Sequence, residues 1–81
     1  TLIDSTITFN KFAIDKIMEL STEADQYKAQ AISRIATSFN RMIGDVIVAG
    51  FNNRIEGFGF NEAKTLIDST ITFNKFAIDK I

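Results

Sequence analysis

Neither cysteine nor histidine occurs anywhere in this chain. The first absence excludes disulfides and thiolate metal sites. The second removes the usual general base and the commonest metal ligand. A dominant charge is missing as well, with nine Lys and Arg against ten Asp and Glu. The signs are interspersed as on a solvated helix face, and no basic stripe is offered to nucleic acid. The longest apolar run, Val46 to Phe51, falls far short of the ~20 residues that a bilayer span needs. No signal-peptide pattern is present. The chain opens at Thr1 without an initiator Met and stops in mid-pattern at Ile81, so it reads as a piece of something longer. What remains is burial of apolar area, within the chain or against a partner, in a single module too small to be robust alone. Hydrophobic residues make up 46% of the chain, enough for a folded domain and too many for disorder.

The strongest positive signal is internal identity. Residues 1–17, TLIDSTITFNKFAIDKI, return unchanged at 65–81, an offset of 64. The chain is therefore a 64-residue unit, 1–64, followed by a copy of its own beginning, and this modularity outranks any local motif. A fainter echo lies inside the unit: Thr8-Phe9-Asn10-Lys11-Phe12 parallels Ser38-Phe39-Asn40-Arg41-Met42, and Phe-Asn-Lys recurs at 73–75. The unit reads equally well as two related helices or as one helical pattern with a Phe-Asn bias.

At about 100° per residue, Leu2, Ile3, Ile7, Phe9, Ala13, Ile14, Ile17, Met18 and Leu20 share one half of a wheel, with Phe12 the one large apolar residue on the other side. That pattern predicts an amphipathic helix over 2–20. The alternating, β-branched stretch Ser5–Phe9 suits a strand locally, but the alternation fails after Asn10. Residues 20–25 read as a joint with Thr22 as a cap, although one uninterrupted helix through this point stays open.

A second helix is expected over 22–56. Ile32, Ile35, Phe39, Met42, Val46 and Ala49 step alternately three and four residues, a short heptad seam, on a face that also holds Ala31, Ala36 and Ile43. Ile47, Val48, Phe51 and Ile55 form a second face towards the end, where the helix is either buried all round or bent at Gly44 or Gly50. Gly57 suits the left-handed residue after a helix. Gly57 and Gly59 make a hinge, with Phe58 and Phe60 packing under it. Asn61 then caps a third helix over 61–81.

No constellation carries chemistry. Asp15 and Glu19 have the spacing of a di-carboxylate metal pair, but no Glu-x-x-His partner exists, and they lie beside Lys11 and Lys16 as a solvated face. Gly57-Phe58-Gly59-Phe60 lacks the preceding strand and following Lys-Ser/Thr of a phosphate loop. The serines have no neighbouring base. No catalytic, cofactor-binding or metal-binding residue is assigned. Asn10 and Asn74 fall on the apolar arc and are candidates for setting helix register at some cost in stability.

Regularly spaced Phe, few helix breakers and a tandem repeat resemble, in style along the whole chain rather than by a diagnostic motif, the repeat regions of phage tail tape-measure proteins. The resemblance implies an elongated helical assembly protein. The exact copy equally suits a deliberately duplicated end, in which two copies of one helix compete for one slot. The expected fold is all-α with two to three amphipathic helices, as a helical hairpin, a three-helix bundle or an elongated helical repeat. Its packing interface is Ile3, Ile7, Ile14 and Ile17, their counterparts Ile67, Ile71, Ile78 and Ile81, and the seam Ile32, Ile35, Phe39, Met42 and Val46. The expected function is structural: no enzyme, no cofactor, and a partner that is another copy of itself or the adjacent repeat, not nucleic acid or a membrane. The alternative is an amphipathic segment active at a membrane surface. It rests on the Gly, aliphatic and Phe residues of 44–59, and against it stands the lack of a Lys/Arg-rich polar face.

Overall fold

The computed structural model describes residues 2–20, 22–52 and 55–81. These residues form three helices: α1 (Leu2–Met18), α2 (Asp25–Phe51) and α3 (Phe60–Lys80). No strand occurs among the described residues. The all-α expectation holds as a three-helix bundle of 47 × 17 × 16 Å, its long axis close to the ~40 Å of a 27-residue helix. The stretch Ser5–Phe9 is helical despite its β-branched residues, and the same is true of its copy. Thr8, Thr70 and Thr72 each donate their hydroxyl to the carbonyl four residues back, a use of the side chain that the helix itself supplies.

The helix ends depart from the sequence reading. α1 stops at Met18, not Leu20, and α2 begins at Asp25 with Ala24 in an extended conformation as its N-cap. Thr22 is therefore not the cap, and the two helices are separate. Ser21, within the expected joint, and the side chain of Leu2, on the expected apolar arc, lie outside the described residues. α2 runs unbroken through Gly44 and Gly50 and ends at Phe51, short of the expected residue 56. The chain then folds back on itself. Phe58 packs over Gly50, where any Cβ would overlap its ring, and meets Phe51 edge-on with centroids 5.4 Å apart.

Gly57 does take the left-handed conformation, at φ 75°, but within the 52–59 connection rather than directly after the helix. Gly59, extended, is the N-cap of α3, and its carbonyl accepts the Ala63 N–H. Asn61 lies inside α3, where its carbonyl accepts the Thr65 hydroxyl, so it is not the cap. Phe60 is solvent-exposed instead of packing under the turn.

The core is small. Ile14, Ile32, Phe39, Ile43, Phe73 and Ala77 form its buried centre. Ile3, Ile7, Ile17, Ile35, Met42, Ile47, Leu66 and Phe76 pack around them. Phe39 and Phe73 meet at 4.9 Å between centroids and 61° between planes, an edge-to-face pair of the favourable kind. These are two of the three phenylalanines in the Phe-Asn-Lys/Arg echoes.

Candidate functional site

The feature that bears on function is the way the two identical segments are used. In α1 the expected isoleucine face does pack: Ile14 is fully buried, and Ile3, Ile7 and Ile17 flank it. In α2 the expected seam lies against the same core, with Ile32 and Phe39 buried, Ile35 and Met42 packed on them and Val46 half-buried. In α3 the expectation fails. Ile67, Ile71, Ile78 and Ile81, the counterparts of Ile3, Ile7, Ile14 and Ile17, all face solvent. α3 packs instead through Leu66, Phe73, Phe76 and Ala77. Identical residues thus have opposite fates: Ile14 is 0% exposed and Ile78 67%, whereas Phe9 is 66% exposed and Phe73 0%.

The placement of the helices accompanies this difference. Ile7 and Lys11 lie beside Asp68, Ser69, Thr72 and Phe73, and Asp15 lies beside Lys80, so α1 and α3 run parallel and nearly in register. Both also pack on α2. Viewed down the bundle, α1 meets α2 and then α3 in one rotational order, and α3 meets its two neighbours in the reverse order. The side that meets α2 and the side that meets the twin are thus exchanged between the copies, and the two copies bury different faces. Two copies of one apolar face would pack on one chain if α2 offered both its seam and its second face; if it offered one, the spare copy would dock on another chain. The structure uses one broad stripe of α2 and two faces of the copied helix. Val48, Phe51 and Ile55, proposed as part of a second α2 face, are exposed, and only Ile47 of that set packs on the core. The second face of the copied helix had a visible sign in the sequence: Phe12 stands outside the isoleucine arc, and Phe9 lies between the two.

The register candidates are also inequivalent. Asn10 borders a groove between α1 and α2 with Thr6, Arg34, Ile35, Ser38, Phe39 and Met42. The counterpart Asn74 is half-buried, and its side-chain carbonyl oxygen is buried without a hydrogen-bond partner. Leaving such an atom unpaired costs about 1–3 kcal/mol, so Asn74 weakens the packed helix whatever it does for register.

Electrostatics add little to the fold. Lys80 pairs with Asp15 at 3.7 Å across α1 and α3, and Lys16 pairs with Glu19 at 3.4 Å. All four side chains are more than a third exposed, where such pairs contribute about 0–1 kcal/mol. The Lys11 and Lys80 ammonium groups lie 5.4 and 5.1 Å from the Phe76 ring centroid, within cation–π range. Among the described residues no group of three or more acidic side chains is placed to hold a metal ion, and no helix is long and apolar enough to cross a membrane.

The chain exposes 5832 Å², against about 4,900 Å² for a compact monomer of its 9.1 kDa mass. The excess fits an elongated bundle that leaves apolar faces outside. No protein-family model matches this chain, and no curated protein or solved structure matches it either.

Proposed function

We propose that this chain is a helical assembly module that works by apolar helix–helix packing and associates with itself. One observation carries the reading: two identical amphipathic segments in one bundle bury faces centred differently, so the large residues that one copy buries, Ile14 or Phe73, its twin exposes as Ile78 or Phe9. Exposed faces of this kind, contiguous along a helix, are what interaction surfaces are made of. The surface excess and the elongated shape point the same way, as does the tandem repeat, whose units extend a structure by contacting their neighbours.

The test is light scattering coupled to size-exclusion chromatography over a concentration series of the full chain. The expected result is a mass that rises above one chain with concentration. A mass of one chain throughout overturns the proposal. Co-sedimentation with anionic vesicles separates it from a membrane-surface role, since an assembly module stays in the supernatant.

A further inference from the structure

The bundle contains its own template for a contact between chains. On α3, Asp68, Ser69, Thr72 and Phe73 form one wall of a cleft whose other wall is Ile7 and Lys11 of α1. One turn along, the Lys11 ammonium lies over the Phe76 ring at 5.4 Å. One turn further, Asp15 pairs with Lys80 at 3.7 Å. The surface on α3 is therefore filled by a ladder of Ile, Lys and Asp at successive four-residue steps, running parallel to it.

Both halves of that contact exist a second time, on the outside. Asp4, Ser5, Thr8, Phe9 and Phe12 of α1, identical in order to the α3 wall, line an open groove. Phe9 and Phe12 are exposed there, and Lys16 follows in the place of Lys80. The ladder recurs as Ile71, Lys75 and Asp79 on α3, all facing solvent. Neither outer surface belongs to the core around α2.

The geometry points to a second copy of this chain as the occupant of the α1 groove. The Ile71–Lys75–Asp79 ladder of one copy docks parallel to α1 of the other and repeats between chains the contact that α1 and α3 make within one. Lys75 lies over Phe12, and Asp79 pairs with Lys16. The two surfaces match in charge, ammonium to ring and carboxylate to ammonium. The contact is heterologous, an α1 surface of one copy meeting an α3 surface of the next. It rests on the self-association reading above and adds which surfaces meet.

Two variants of the full chain test it by light scattering. Phe12→Glu blocks the groove and Ile71→Glu blocks the ladder. Each new Glu stands four residues before a Lys, Lys16 or Lys75, a favourable helical pair, and unchanged circular dichroism verifies that each variant is folded. At a concentration where the unmodified chain is larger than one chain, each variant alone runs as a single chain. Their equimolar mixture doubles in mass, because each still carries the surface that the other lost. A mixture that stays at one-chain mass, or a variant that associates as fully as the unmodified chain, overturns this docking and leaves self-association standing. An unmodified chain of one-chain mass at every concentration overturns both.

Discussion

Gly44 and Gly50 both sit on α2 and meet different surroundings. A Cβ at Gly44 finds nothing within 4 Å, whereas one at Gly50 overlaps the Phe58 ring. Gly44→Ala is therefore expected to raise stability by about 1 kcal/mol through helix propensity. Gly50→Ala, with the same propensity gain, is expected to lower it, because Phe58 must leave its place against Phe51. Urea midpoints of the two variants check this, and two shifts of the same sign would contradict the packing of the 52–59 connection. Asn74 supports a second expectation at this scale. Replacing it by Leu removes the unpaired buried oxygen and is expected to stabilise the chain by about 1 kcal/mol. A lower melting temperature for Asn74→Leu would contradict this. Neither effect is legible in the sequence, since both depend on which atoms a fold brings over a given position.

Among the elements, the three helices and their amphipathic character follow from periodicity, and the seam of Ile32, Ile35, Phe39 and Met42 lies on the core as the spacing implies. Helix ends were less legible. Thr22 and Asn61 look like caps, yet Ala24 and Gly59 take those places, because the connections are shaped by tertiary contacts such as Phe58 on Gly50. The face used by α3 was only hinted at, by Phe12 outside the isoleucine arc and Phe9 between. A wheel ranks faces by hydrophobicity, and the isoleucine face of the copied segment ranks first in both copies. In α3 that ranking is not followed, since Phe73, Phe76 and Ala77 pack and the isoleucines face solvent. α3 is indispensable to the core, since it supplies Phe73 and Ala77 to its centre. Deleting residues 65–81 is thus expected to abolish cooperative thermal unfolding as followed by circular dichroism. A sharp transition in the shortened chain would mean that α1 and α2 form a sufficient core without it.

At the scale of the whole molecule, one 17-residue sequence carries two packing faces, and the bundle buries one of each. The unused pair is what makes the module self-complementary, so association and the asymmetry of the copies are two consequences of one arrangement. The asymmetry is the more basic of the two and is measured most directly by a matched pair of substitutions. Phe9→Ala and Phe73→Ala change the same residue in the same local sequence, and their urea unfolding is compared at a dilution where the chain is single. Phe73→Ala is expected to cost about 3–5 kcal/mol, as for a buried phenylalanine, and to leave little folded protein. Phe9→Ala is expected to fall within about 0.5 kcal/mol of the unmodified chain, as for a surface site. Equal losses in the two variants would contradict the account, because they would mean that both copies pack through the same face.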